Sequence, residues 1–177
     1  MKPDMGQPRL HEVNRHYAAH YGNFTMSVRY TGLSTSILDA VGDTPLLDID
    51  GVFAKCEFLN PSGSIKARIA KYIIERAEQT GQLKAGDTIV EATSGNTGNA
   101  FSMLAAVKGY RMIVVMPEGL SSERVAISRA YGAEVLFVGT FHVNDALERA
   151  RELGRRPGFF FPGQFESEWN VEENREI

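Results

Sequence analysis

The sequence predicts an α/β fold in which a parallel sheet carries helices on both faces. From Thr88 to Phe161, short and almost wholly apolar runs alternate with longer stretches of helical periodicity. Strands that are apolar along their whole length are buried on both sides, which is typical of parallel sheets covered by helices. Glycines that follow the helical stretches support this prediction, because glycine commonly ends helices. These glycines are Gly81, Gly109, Gly132 and Gly154.

The individual elements are predicted from the spacing of their apolar residues. Apolar side chains that alternate or run together indicate strands, and those that recur every three or four residues indicate helices. The predicted strands are Val52–Phe58, Thr88–Glu91, Met112–Met116, Glu134–Val138 and Gly158–Phe161. The predicted helices are Ile37–Val41, about Lys66–Thr80, Thr97–Lys108, one between Ser121 and Gly132, and one from near Asp145 to Gly154. Glu148 follows Asp145 at the spacing of a capping box.

Residues 1–35 lack this order and are predicted to form an N-terminal arm, with a short helix around Leu10–Tyr21. Three of the four histidines lie in this arm. His16 and His20 have a spacing that could bind a metal. Because no glutamate or cysteine accompanies them at a suitable spacing, the sequence favours a surface or interface role, and no metal site is predicted.

Composition limits the classes of function. The chain has 177 residues, of which 43% are hydrophobic and 23% charged, and a net charge of −3. These values are typical of a soluble globular protein and argue against a nucleic-acid-binding surface. The one cysteine, Cys56, excludes an intrachain disulfide. The sequence lacks both a membrane-spanning run and an apolar signal core. We therefore expect a cytoplasmic location and no membrane association.

Two segments contain the residue types needed for amino-acid chemistry. The Asn60–Lys66 segment places a lysine after small polar residues at the predicted start of a helix. The Thr93–Gly98 loop joins a strand to a helix, where backbone N–H groups can receive an anion. An amine beside an anion site is what imine chemistry on an amino acid requires. The alternatives are a solvated surface lysine and a simple turn in which Thr97 is the N-cap.

The chain resembles the cysteine synthase and cystathionine β-synthase family, whose members are pyridoxal-phosphate (PLP) enzymes of the tryptophan-synthase-β-like fold. The resemblance runs from about Ile37 to Ile177. The segments that carry it are Gly42–Leu46, Asn60–Lys66, Glu91–Gly98, Lys108–Arg111, Val115–Glu118, Ser121–Arg124 and Tyr131–Glu134. Residues 36–177 would then form the N-terminal half of this fold, including a small mobile domain at about 87–165.

The resemblance also implies roles for individual residues. Lys66 corresponds to the lysine that holds PLP as a Schiff base and later moves the α-proton. Asn96 corresponds to the amide that hydrogen-bonds the 3′-oxygen of the cofactor. The substrate carboxylate would be bound by the loop and by a later glutamine. The residues expected to bind it are Thr93, Ser94, Gly95, Thr97 and Gln164.

The implied activity is PLP-dependent β-replacement, or β-elimination, on serine or an O-activated serine through an aminoacrylate intermediate. A homodimer with an amino-acid substrate is expected. The family's grip on the PLP phosphate lies in its C-terminal half, which has no counterpart in these residues. We therefore expect residues 1–177 alone to bind PLP weakly, to be inactive and to require that half or a partner chain.

Two other functions remain open at this point. The chain could be a truncated, non-catalytic paralogue that acts as a binding or interaction module. A nucleotide-binding Rossmann domain is disfavoured, because no predicted strand is followed by Gly-x-Gly-x-x-Gly.

The chain departs from the usual family pattern at three positions, where Ala67 replaces an aspartate, Ala92 replaces a proline and Asn99 replaces an apolar residue. These departures bear on the substrate rather than on the cofactor.

Overall fold

The computed structural model describes residues 34–140, 143–175 and 177. The predicted arm lies outside this part of the chain except for residues 34 and 35, and its predicted helix lies wholly outside it. The strands are β1 Leu46–Ile49, β2 Val52–Lys55, β3 Thr88–Ala92, β4 Arg111–Glu118, β5 Glu134–Thr140 and β6 Phe159–Phe160. The α-helices are α1 Lys66–Gln79, α2 Asn96–Lys108, α3 Ser122–Ala130, α4 Val143–Gly154 and α5 Glu168–Asn174. Short 3-10 turns occupy Ile37–Ala40 and Glu57–Leu59.

The strands from β3 onward form a parallel sheet in the order β5-β4-β3-β6. Successive strands can pair in parallel because the helix between them runs back across the sheet, so that each strand begins at the same end. β6 is short and pairs only with Thr88 and Ile89 of β3. β1 and β2 form a separate antiparallel hairpin. The predicted parallel sheet is therefore confirmed.

Alternate residues of the strands pack against helices on opposite faces of the sheet. On one face, Ile89 and Val114 lie in a core cluster with residues of α1 and α2. On the other face, Val90 and Val115 pack with residues of α4. All four of these side chains are completely buried. This alternation is the two-sided burial that the apolar strands predict, and it places the carboxyl ends of the strands at one edge.

The predicted strand Val52–Phe58 is too long. Its alternating pattern continues through Phe58, but β2 ends at Lys55 and a 3-10 turn begins at Glu57. Glu57 is held there by Arg68 and Thr44, which come from distant parts of the sequence. These tertiary contacts override the local alternation.

The last long helix also differs from its prediction. α4 begins at Val143, so Asp145 lies in its first turn and is not a cap residue. The carboxylate of Asp145 instead packs against Gly139 at the end of β5. Gly81, Gly109 and Gly132 have the positive φ angles of helix-ending glycines. Gly154 does not, and a Cβ there would lie 2.5 Å from the Cβ of Phe161, so a close contact requires this glycine.

Neither a membrane-spanning helix nor a cluster of metal ligands is present among the described residues. None of the helices there combines the length and apolar character needed to cross a membrane. Across the same residues, no group of three or more histidine, cysteine, aspartate or glutamate side chains is placed to hold a metal ion. The histidine pair of the arm, His16 and His20, lies outside the described residues.

Candidate active site

The Asn60–Lys66 segment is anchored at its first residue. Asn60 is buried, its Oδ1 accepts a hydrogen bond from Gly42 N at 3.0 Å, and its Nδ2 donates to Glu57. The main chain then turns, with Gly63 N donating to Asn60 O at 2.7 Å and Gly63 at φ +77°. Glycine adopts this left-handed conformation without steric cost. The turn delivers Lys66 to the first position of α1.

An ion pair fixes the first turn of this helix. Arg68 donates to both carboxylate oxygens of Glu57, through Nε at 2.8 Å and Nη2 at 2.9 Å. Thr44 adds a third hydrogen bond to the same carboxylate at 2.5 Å. The Arg68 guanidinium, followed by the side chains of Thr44 and Asn60, lowers the pKa of Glu57 to about 2 against the opposing effect of burial. Both side chains of the pair are largely buried, so this contact pins α1 to the preceding segment.

Two polar groups of the same segment lack protein partners within the part of the chain that the structure describes. Lys66 is half-buried, and its Nζ makes no hydrogen bond or ion pair with those residues. The buried hydroxyl of Ser62 likewise has no partner there. Buried polar atoms are normally hydrogen-bonded, so a hydroxyl without a described partner, in the segment that leads to Lys66, is a feature to be explained. A ligand with polar groups would satisfy both.

The Thr93–Gly98 loop follows β3 at the carboxyl edge of the sheet. Gly95 is the N-cap residue of α2, and its N–H donates to Thr93 Oγ1 at 3.1 Å. Ser94 and Asn96 are exposed, whereas Thr93 and Thr97 are buried. The loop therefore directs two polar side chains outward at the N-terminus of a helix. That is the arrangement that attracts an anion.

Close packing beneath the loop requires glycine at position 98. A Cβ on Gly98 would lie 2.6 Å from Cγ2 of Thr93 and 3.0 Å from Cγ1 of Val114. On the outer side, Arg124 of α3 donates to Ser94 O at 2.7 Å and packs against Gly95. The loop is held from the sheet below and from α3 beside it.

Gln164 is brought directly to this loop. Its Oε1 accepts a hydrogen bond from Thr97 Oγ1 at 2.6 Å, and its Nε2 donates to Ala92 O at 3.0 Å. The alternative in which Thr97 only caps the helix is therefore wrong, because its hydroxyl bonds Gln164 and lies one residue inside α2. Lys66 shares no hydrogen bond with the loop among the described residues, although the helices α1 and α2 that bear them pack together.

Glu91 adjoins Gln164 and the start of the loop, and the sequence assigns it no role. Its side chain is completely buried on β3, where Oε2 accepts from Gln164 N at 3.2 Å and Oε1 from Ala92 N at 2.9 Å. Burial raises the pKa of Glu91 to about 8, and the N–H groups of Gln164, Ala92 and Gly163 oppose that rise. The only sequence signal is a glutamate inside an otherwise apolar strand.

Asn99 and Ser128 form another buried polar contact. Ser128 Oγ donates to Asn99 Oδ1 at 2.9 Å, which joins α3 to α2 just behind the loop. This hydrogen bond explains how an asparagine is tolerated at a buried position.

Two shallow grooves lie elsewhere on the described residues. One of about 490 Å³ lies beside α3, and one of about 290 Å³ lies beside Trp169; neither includes Lys66 or the loop.

Comparison with known proteins identifies the family. Residues 37–177 match the family described as "Pyridoxal-phosphate dependent enzyme". The cysteine synthase of Staphylococcus aureus (strain Mu50 / ATCC 700699) is 43% identical over 146 residues, which cover 77% of this chain and 47% of that protein. The chain thus spans about half the length of the curated relatives it matches.

Solved structures give the same result. A hydrogen sulfide-producing enzyme from Fusobacterium nucleatum superposes with a TM-score of 0.76 and 38% identity, over 82% of this chain and 51% of that one. An O-acetylserine dependent cystathionine beta-synthase from Helicobacter pylori superposes with a TM-score of 0.76 and 34% identity, over 80% and 50%. The predicted fold is confirmed, and the chain belongs to the cysteine synthase-like branch of the pyridoxal-phosphate dependent enzymes.

Proposed function

We propose that this protein is a cysteine synthase-like enzyme that uses PLP for β-replacement, or β-elimination, on serine or an O-activated serine. The observation that carries the proposal is the amine of Lys66, presented at the start of α1 without a partner in the described part of the chain. The cysteine synthase and the O-acetylserine dependent enzyme among its relatives support this substrate class.

The polar groups that remain free in the described residues fit this cofactor. Lys66 would hold PLP through its Nζ, and the exposed amide of Asn96 would donate to the ring oxygen. The orphaned hydroxyl of Ser62 lies in the same segment as Lys66 and would gain a partner. When bound, PLP supplies an electron sink that makes the α-proton of an amino acid acidic. Lys66 Nζ, once released by the amine of the substrate, would take up that proton.

The Thr93–Gly98 loop would bind the carboxylate of the amino acid. Its outward-facing Ser94 and the N–H groups at the start of α2 supply donors, and the helix dipole favours a negative charge there. Thr97 and Gln164 are already bonded to each other, so they would engage the carboxylate by exchanging that contact. Thr93 and Gly95 would set the shape of the loop and the close approach of the ligand.

The remaining features of the protein are part of the same proposal. We infer a cytoplasmic homodimer, in which residues at about 87–165 move as a small domain when substrate binds. Residues outside these 177, or a partner chain, would supply the grip on the PLP phosphate. The exposed apolar side chains of the β1–β2 hairpin, which include Val52 and Phe53, support a covering partner.

Spectroscopic titration tests the proposed function. Protein that also contains the phosphate-binding half of the fold, or the partner chain that supplies it, is expected to develop a visible absorbance band with PLP. The band should shift when serine or O-acetylserine is added. Replacing Thr93 with alanine should weaken the amino-acid response about tenfold, the worth of one hydrogen bond, while leaving the cofactor band nearly unchanged. Loss of the band itself would mean that the loop holds the cofactor. If no band forms even when the remaining half of the fold is supplied, a non-catalytic binding module is the better explanation.

A further inference from the structure

The edge of β3 beside β6 is incompletely paired. β6 pairs with Thr88 and Ile89 and then ends, and it is followed by Pro162, which has no N–H to donate to a ladder. The main-chain N–H groups of Gly163 and Gln164 thus lie past the end of the ladder. Both residues are at least partly buried. Buried N–H groups require acceptors, so something other than a strand must supply them here.

Glu91 supplies those acceptors. Its carboxyl oxygens accept the N–H of Gln164 at 3.2 Å and the N–H of Ala92 at 2.9 Å, and the nearby N–H of Gly163 also lowers its pKa. The side chain is completely buried, and no cation within the described residues pairs with it. Burying an ionisable side chain without a cation is costly, and among the described residues main-chain N–H donors are its compensation. An apolar residue would suit the interior of this strand better, unless the segment at Gly163–Gln164 has to be held in place.

The side chain of Gln164 completes the connection. Its Nε2 donates to Ala92 O, on the same strand as Glu91, and its Oε1 receives the hydroxyl of Thr97. Main chain and side chain of Gln164 are therefore both fixed to β3, with its amide facing the first turn of α2. A displacement at Glu91 would move this amide relative to the loop.

We propose that Glu91 is a positioning residue for Gln164. The oxygens of its buried carboxyl group replace the missing strand partner and fix the point at which the Gln164 amide meets the Thr93–Gly98 loop. The inference rests on the proposed function, because it assigns Glu91 an indirect role in binding the carboxylate of the amino acid. Glu91 itself does not touch the ligand.

The test compares Glu91→Gln, Gln164→Ala and the double variant in the complete protein loaded with PLP. Glu91→Gln keeps the shape of the side chain but places an amide donor against main-chain donors. We expect it to raise the dissociation constant for serine about tenfold, as for one lost hydrogen bond, with the PLP affinity unchanged. Gln164→Ala should have a similar effect. The double variant should bind serine no more weakly than Gln164→Ala alone, because Glu91 acts through Gln164.

A matched control separates positioning from general destabilisation. Ser128→Ala also removes a buried hydrogen bond behind the loop, but it does not touch Gln164. It should lower stability and leave serine binding within about twofold, the scatter of an unrelated site. If Glu91→Gln does not fold, Glu91→Asp allows the same comparison, because it keeps the acceptors and shortens their reach by one methylene.

A second readout needs neither cofactor nor substrate. Amide hydrogen exchange at Gly163 and Gln164 should accelerate in Glu91→Gln and stay unchanged in Ser128→Ala. Unchanged exchange in Glu91→Gln, or additive losses of serine binding in the double variant, would overturn the positioning role. If the unaltered protein does not respond to amino acids at all, the proposed function fails, and the exchange rates alone then decide whether Glu91 positions Gln164.

Discussion

The two segments that flank the proposed chemistry are held in place by different forces. The Asn60–Lys66 segment is fixed by charge, through the bidentate Glu57–Arg68 pair, and its own Lys66 and Ser62 remain without described partners. The Thr93–Gly98 loop is fixed by single hydrogen bonds and, among the described residues, by no ion pair, and Thr97 is already engaged with Gln164. The first segment therefore keeps its reactive groups free, whereas the second must exchange protein contacts for ligand contacts.

This difference implies different responses to substitution. Strong contacts beside Lys66 should affect the stability of the fold, since no ligand has to displace them. The weaker contacts of the loop should affect stability less, because a loop that exchanges partners cannot be held too tightly.

The largest expected loss follows from breaking the Glu57–Arg68 pair. Glu57→Gln should lower the free energy of unfolding by about 2–3 kcal/mol at neutral pH, discounted for the solvent that reaches the pair. Because the pKa of Glu57 is lowered to about 2 from its usual 4.5, this contribution is complete above 4.5 and is lost as the pH falls towards 2. Urea denaturation across that range measures it.

A surface ion pair provides the control for this prediction. Glu152 pairs with Arg149 on the exposed side of α4. Glu152→Gln should change the stability little at any pH. A loss in Glu57→Gln that is as large at pH 2 as at pH 7 would show that charge is not what holds α1.

A smaller loss is expected beneath the loop. Gly98→Ala places a methyl group against Thr93 and Val114, and overpacking should cost about 1–2 kcal/mol after the gain in helix propensity is subtracted. Adding Thr93→Ser removes the nearer contact and should recover part of the loss. Calorimetric or urea unfolding of both variants measures the loss in the free energy of unfolding and its recovery. A stabilised Gly98→Ala protein, as for an ordinary helical glycine, would contradict the close packing.

The smallest effect is expected at the contact that a ligand would displace. Thr97→Val removes the hydroxyl that Gln164 accepts and should cost about 1 kcal/mol, the net worth of one hydrogen bond. Thr80→Val is the matched control, because its exposed hydroxyl bonds only the helix carbonyls before it. Unfolding of Thr97→Val with a cost above that of Glu57→Gln would reverse the contrast between the two segments.

Most of the fold from Thr88 onward could be predicted from the sequence. Strands such as β4 are apolar between their two end residues because both of their faces are covered, and this pattern can be read from the local sequence. The predictions fail where contacts with residues farther along the chain determine the local structure. Glu57 leaves the strand pattern because Arg68 and Thr44 bind it, and Gly154 is required by Phe161 rather than by a positive φ angle.

The candidate site was predictable in its parts but not in its connections. Lys66 and Thr93–Gly98 are recognisable from their residue types and spacing. The contact between Glu91 and Gln164 joins residues 73 positions apart. Only the pairing of β6 beside β3 brings them together, and the shortness of β6 leaves the gap that Glu91 fills. Ala92 contributes an N–H to Glu91 that the proline usual in this family could not donate.

Chemical trapping of the lysine tests the central claim most directly. The protein is incubated with PLP, reduced with borohydride and digested, and the modified peptide is mapped by mass spectrometry. We expect the label on Lys66, and we expect Lys66→Arg to abolish it. Label on Lys55, Lys71 or Lys84 with Lys66 unmodified would contradict the assignment, because these lysines lie outside the Asn60–Lys66 segment on which the proposed function depends.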